Sequence, residues 1–261
     1  MQTSLSIIMK HIIIGSIIFL STFMSFGQMS NITDTTKINL PKDVKFNYKQ
    51  LIIPSILIGY GFIGLESDQL KGYNLDIRNE IVEDIDKKIT IDDFLQYSPA
   101  FSVYVLNNIG IKGKNNLKNR SVILATSMFM VFSTVSALKN ITHIERPDGS
   151  ANNSFPSGHT ALAFAGAEFL YHEFKEKSIW YGIAGYTAAS ATGAFRVYNN
   201  KHWLTDVAAG AGIGILSTKF AYLINPFINK KILKSKSNKV SALFSPYYDG
   251  KKMGGAFVMT F

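Results

Sequence analysis

Three short stretches of the chain hold residues whose types and spacing could do chemistry. In the first, Lys139 and Arg146-Pro147 bracket six residues (KNITHIERP). The second is Pro156-Ser157-Gly158-His159, and the third runs from Arg196 through His202 to Asp206 (RVYNNKHWLTD). Lys139, Arg146 and Arg196 would put three positive charges around one small volume, and arginine adds planar bidentate donors that suit phosphate oxygens. Ser157-Gly158-His159 offers backbone N–H groups at a helix start, where unpaired donors and the dipole favour an anion. Gly158 lets the backbone approach closely. Two histidines in such a site point beyond binding. His202 and Asp206 are four residues apart, on one helical face, so the carboxylate can fix the ring's tautomer and orientation. A ring held in that way is a nucleophile or a base, and His159 can then be the acid.

Each stretch sits at the end of an expected helix. Ser121–Leu138 and Ser178–Phe195 are uncharged runs of helical length, His159–Phe174 is Ala-rich, and Leu204–Leu223 carries Gly210, Gly212 and Gly214 as packing residues. With a tight turn at Lys175 to Ser178, these helices bring all three motifs to one end of a bundle. Upstream, Leu51–Leu65 is uncharged, and Ile77, Ile81 and Ile85 mark an amphipathic helix between Asp76 and Asp93. Thr90 with Asp93 reads as a helix start before the uncharged run Phe94–Ile111. A basic hinge follows, with Lys112, Lys114, Lys118 and Arg120. Trp203 either lines the mouth of the site or simply packs. His143 reads as structural or at the rim, and His172-Glu173 as a solvated helix end. Ser241–Tyr248, Asp249-Gly250 and Met253–Phe261 read as a β-hairpin. The expected architecture is an all-α helical bundle over 51–225, with a Lys-rich linker and a short C-terminal β-hairpin tail over 226–261.

At the N-terminus, Lys10-His11 precede an uncharged run from Ile12 to Phe26, with small residues at Ser25 and Gly27. That is the secretory pattern: residues 1–27 read as a signal peptide, with Met9 an alternative start, and 28–50 as a polar leader. An uncleaved anchor helix is the other reading. The chain is therefore expected to be exported, either in the inner membrane with a periplasm-facing site or as a soluble periplasmic bundle. In the membrane scheme Leu51–Leu65 runs inward and Ser121–Leu138 outward, which puts the first motif outside. The 261 residues contain no Cys, which excludes disulfides, thiolate zinc, iron–sulfur clusters and cysteine nucleophiles. Lys and Arg number 27 against 18 Asp and Glu, a balance that favours anionic partners. No aromatics alternate with the lysines after Lys230, so they read as a solvated or membrane-facing patch and not as a nucleic-acid site.

The motifs resemble those of the type 2 phosphatidic acid phosphatase superfamily, which also holds bacterial acid phosphatases and vanadium haloperoxidases. Its K-x6-R-P, P-S-G-H and S-R-x5-H-x3-D pattern is matched by Lys139, Arg146, Pro147, Pro156, Ser157, Gly158, His159, Arg196, His202 and Asp206. The Ser that precedes the third-motif Arg is Phe195 here, and only eight residues separate Pro147 from Pro156. The resemblance covers about Leu51 to Leu223. It implies that His202 attacks phosphorus while Asp206 orients it, and that His159 protonates the leaving oxygen. Lys139, Arg146, Arg196, the Ser157 hydroxyl and the Gly158 N–H would bind the phosphoryl oxygens, with no metal and no other cofactor required. The implied activity is hydrolysis of phosphate monoesters or diphosphates, on a lipid-linked substrate of the phosphatidate, undecaprenyl diphosphate or lipid A type. A vanadate-dependent haloperoxidase and a non-catalytic envelope protein with a relict phosphate site are the alternatives.

Overall fold

The computed structural model describes residues 48–84 and 90–229, and the backbone of 241–248 and 253–260. The expected signal, nearly all of the polar leader, the Lys-rich linker from 230 and the Asp249-Gly250 turn lie outside the described residues. A 3₁₀ turn at Tyr48–Leu51 leads into α1 (Ile52–Glu66). Then come α2 (Asp68–Asp84), the one-turn α3 (Asp92–Leu95), α4 (Ser98–Asn108) and α5 (Leu117–Thr142). The series closes with α6 (Gly158–Phe174), α7 (Ile179–Tyr198) and α8 (Leu204–Ile228). β1 (Ser241–Tyr248) pairs antiparallel with β2 (Met253–Thr260), Ser241 opposite Thr260. The helical bundle and its hairpin are thus as expected.

Helix ends have local causes. Asn116 accepts the Asn119 N–H at 2.9 Å and starts α5, while His143, at φ 50, ends it in the left-handed region. Ser67 accepts the Leu70 N–H at 3.4 Å, so α2 begins at Asp68 and not at Asp76. α8 does not stop at Asn225. A proline in the final turn forfeits only its own N–H bond, and the Asn229 N–H still reaches the Asn225 carbonyl.

The Ala-rich α6 is the axis. Ala161, Ala163, Ala165 and Ala167 are all fully buried, and at 100° per residue they point to two opposite sides of the helix, so partners pack on both. Glycines set how close those partners come. A Cβ on Gly210 would overlap the Ser157 carbonyl, and one on Gly214 the Ala161 carbonyl, so α8 meets α6 backbone to backbone. A Cβ on Gly212 would lie 2.6 Å from the Pro54 carbonyl, and one on Gly64 would overlap Thr205. These contacts run α1 antiparallel to α8, with the end of α1 beside the start of α8. Both α1 and α5 therefore run toward the motif end, which corrects the opposed directions expected for them; α4 makes the return between them.

Buried charge inside the bundle is paired. Glu168 on α6 takes Lys219 at 2.5 Å and His172 at 2.9 Å, with a short hydrogen bond from the Tyr186 hydroxyl. Glu173 is no solvated helix end: the Asn115 side chain and backbone and the Tyr222 hydroxyl enclose it at 2.6, 3.0 and 2.8 Å. Among the described residues three helical segments are long and apolar enough to cross a membrane: Tyr48–Glu66, Leu117–Thr142 and Leu204–Ile228. On their outer faces Ile53, Ile56, Phe129 and Phe132 are exposed. Such residues on the outside of a bundle suit a hydrocarbon solvent.

Candidate active site

The first motif closes a small loop. Lys139 lies in the last turn of α5, and its ammonium donates to the Asn153 carbonyl and, at 3.5 Å, to that of Ser154. Arg146 Nε donates to Asn153 Oδ1 at 2.9 Å, and the Arg146 N–H bonds the Ala151 carbonyl. Two cations thus hold the same stretch, 151–154. Beside it Asp148 pairs with Lys201 at 2.5 Å. Burial would raise that carboxyl, but hydrogen bonds from Lys201 and Ser150 outweigh it and hold the pKa at about 2.

Ser157 precedes α6, and its N–H donates to the Asp206 carbonyl at 3.0 Å, which ties the second motif to the third. Its hydroxyl is 2.9 Å from that of Thr160, so it is already engaged. His159 stands in the first turn of α6, with Nε2 2.9 Å from Asp93 Oδ1.

The third motif departs from the expected geometry in one respect. His202 lies before α8 and not on it, because the helix begins at Leu204. Asp206 is instead the third helical residue, and its Oδ2 accepts the Trp203 N–H at 2.9 Å as a cap. The same oxygen accepts the Ser154 hydroxyl at 2.5 Å and lies 3.6 Å from His202 Nδ1. Ser154 Oγ is itself 3.4 Å from that nitrogen. His202 and Asp206 do face each other, then, but through capping geometry and a shared serine. His202 is only 2% exposed. Burial, with help from Lys139 and Arg196 and against Asp206, lowers its pKa to about 4, so the ring is neutral at pH 7.

Arg196 is where the sequence expectation was least complete. Its Nη1 donates to Asp92 Oδ2 at 2.7 Å, and Asn199 donates to the other Asp92 oxygen at 3.2 Å. Its Nε is buried with no hydrogen-bond partner. The site therefore carries Asp92, Asp93 and Asp206 against Lys139, Arg146 and Arg196, and is less cationic than three motifs alone suggest. Asp92, Asp93 and His159 place ligand atoms within 4.8 Å of one another, but both Asp92 oxygens are engaged, and the guanidinium supplies the positive charge beside them. Asp93 reads from the sequence only as part of a helix start, and Asp92, Asn199 and Ser154 carry no mark there; the adjacent Asp pair before an uncharged run was the one available sign.

A cavity of about 260 Å³ opens beside this cluster, lined by Lys71, Asn74, Leu75, Ile144, Trp203 and Asp206 among others. Trp203 both lines it and packs, its Nε1 donating to the Glu145 carbonyl at 2.9 Å. Helix α2 crosses this end of the bundle, with Asn74 bonded to Thr205 and Arg78 to the Pro147 carbonyl.

The model of the PAP2 superfamily matches residues 120–230, which include all three motifs. Residues 120–230 of the chain are thus similar to the PAP2 superfamily. Among curated relatives, it is 37% identical over 161 residues to the lipid A 1-phosphatase of Porphyromonas gingivalis, across 59% of this chain and 36% of that protein. It is 40% identical over 75 residues to the bacitracin transport permease protein BcrC of Bacillus licheniformis, across 29% of this chain and 35% of that one. The chain thus spans about a third of the length of these curated relatives. Of solved structures, LpxE of Aquifex aeolicus is similar over 58% of this chain and 95% of its own, at 23% identity and a TM-score of 0.45.

Proposed function

We propose that this protein is a membrane-bound phosphatase of the PAP2 type that hydrolyses phosphate from a lipid through a phosphohistidine on His202. The observation that carries the reading is the buried neutral His202 ring, with Nδ1 turned to Asp206 and Ser154. That arrangement leaves the Nε2 lone pair to attack phosphorus. As the N–P bond forms the ester P–O bond breaks, and His159 gives the leaving oxygen its proton. A water then attacks phosphorus, His159 takes that water's proton, and the N–P bond breaks. Lys139, Arg146, the unpaired Arg196 Nε and the Gly158 N–H stabilise charge on the equatorial oxygens. The Ser157 hydroxyl joins them when Thr160 is the donor of the pair they form.

The lipid class rests on two supports. The three apolar segments end or begin at the level of the site, so a phosphorylated headgroup at the bilayer surface reaches it without leaving the membrane. The lipid A 1-phosphatase of P. gingivalis, 37% identical over 161 residues, favours a lipid A type among the candidate substrates. The site is proposed to face the periplasm. The test is phosphate release from vesicles carrying lipid A, phosphatidate or undecaprenyl diphosphate, in EDTA, by wild type and His202→Ala. Release from at least one lipid that is lost in the variant supports the reading. Release that requires added magnesium contradicts it.

A further inference from the structure

The one-turn helix α3 brings two adjacent carboxylates into the site from an element that carries none of the three motifs. Asp92 is buried and holds Arg196 and Asn199. Asp93 is half exposed and binds His159 Nε2 at 2.9 Å, while standing 4.0 Å from Arg196 Nη1. Asp93 does not cap its own helix: its carboxylate turns away from Thr90 to the ring across the site, and the Asp93 backbone N–H takes the Thr90 carbonyl instead.

We infer that Asp93 is the positioning residue for the leaving-group acid: it binds Nε2–H of His159 and so makes Nδ1 the nitrogen that exchanges protons with substrate. The inference rests on the phosphatase reading above and adds which atom moves the proton. In the first half-reaction the imidazolium gives Nδ1–H to the ester oxygen as the P–O bond breaks, and the ring stays as the Nε2–H tautomer bound to Asp93. In the second, Nδ1 takes the proton of the attacking water, which restores the imidazolium. Asp93 gains and loses no proton. Its negative charge favours the protonated ring, against burial and Arg196, which together leave the His159 pKa below its ordinary value; Asp92 acts in the same direction as Asp93. These are the charged groups that face the ring, from α3 and α7.

Asp92 has a separate part. With both oxygens committed, it holds the guanidinium through Nη1 and leaves Nε without a partner. It should therefore govern phosphate binding and not proton transfer.

The experiment compares wild type, Asp93→Asn, Asp92→Asn and His202→Ala on an aryl phosphate and an alkyl phosphate, with kcat/KM followed against pH. An aryl oxide leaves without help, whereas an alkoxide needs the proton, and a general acid is worth about 10²–10⁴-fold where it is needed. Asp93→Asn should therefore lower alkyl turnover about tenfold or more while changing aryl turnover less than about threefold. Its alkaline limb should move to lower pH, because losing the carboxylate makes the ring release its proton earlier. A uniform fall on both substrates with an unmoved limb would assign Asp93 a merely structural role and overturn the inference. The phosphatase reading is judged separately by wild type against His202→Ala on the aryl ester. If wild type hydrolyses neither ester nor lipid, that reading falls and the inference with it.

Discussion

As the proposed nucleophile, His202 must be unprotonated to attack, and its surroundings keep it so. The pKa of about 4 comes chiefly from burial, with Lys139 and Arg196 adding to it and Asp206 opposing. His159, the proposed acid, must be protonated, and burial with Arg196 sets its pKa below the ordinary histidine value near 6.5. Activity should thus rise with pH through about 4 and fall again below about 6.5, an acidic bell for kcat/KM read on a soluble ester. An optimum above pH 8 would contradict this assignment of nucleophile and acid. His202→Ala should lose the acid-labile radioactive label that wild type retains after quenching, along with about a thousandfold or more in turnover. Label that persists in the variant would move the nucleophile elsewhere. Ser154→Ala should leave His202 able to attack but remove the 2.5 Å hydrogen bond to Asp206 Oδ2. A loss of roughly ten- to a hundredfold in kcat, with KM little changed, is expected for a ring less firmly held.

At the scale of elements, the glycine contacts between α6 and α8 place Ser157 and Asp206 side by side. Gly210→Ala would push a methyl into the Ser157 carbonyl, and the helices can separate only by moving the second motif from the third. Overpacking of this kind costs about 1–3 kcal/mol, and it should also lower activity, both read as thermal unfolding and turnover in detergent. Gly72→Ala is the control, since nothing lies within 4 Å of a Cβ there, and alanine in a helix interior gains up to about 1 kcal/mol over glycine. Equal effects of the two would mean that the close approach at Gly210 is not what sets the site. The same elements explain what the sequence made legible. Lys139, Arg146, His159, Arg196, His202 and Asp206 could be read because each motif is short and sits at the end of a long apolar or Ala-rich run. Asp92 and Asp93 could not. They reach the site from α3, some fifty residues before the first motif, and no periodicity marks a one-turn helix. Glu173 was misread for the same reason, because its partners Asn115 and Tyr222 come from distant segments.

For the whole molecule, the direction of the helices decides how the chain enters the membrane. Pro54 packs against Gly212 and Gly64 against Thr205, so α1 starts at the end of the bundle away from the site. That far end carries Lys112, Lys114, Lys118, Lys175 and Lys177, and the sequence continues after α8 into Lys230, Lys231 and Lys234. The site end holds fewer: Arg146 and Lys201 in its short loops, the latter neutralised by Asp148, with Lys71 and Arg78 on α2. Lysine and arginine in short loops mark the cytoplasmic side, so we propose that the far end lies inside, the site outside, and that residue 48 starts inside. A chain cut after Gly27 would instead have Gln28 in the periplasm, and the charged stretch from 28 to 47 offers no apolar run of about 20 residues to cross back. The apolar run Ile12–Phe26 is therefore proposed to be retained, in place of the cleaved signal that its composition suggests. Two measurements test this together. Intact mass of the purified protein should include the residues before Gln28. A cysteine at Asn153 should react with an impermeant maleimide in intact spheroplasts, and one at Lys118 only after permeabilisation. Labelling of both without permeabilisation, with a mass that starts at Gln28, would establish a soluble periplasmic bundle. Labelling of Lys118 alone would turn the site to the cytoplasm.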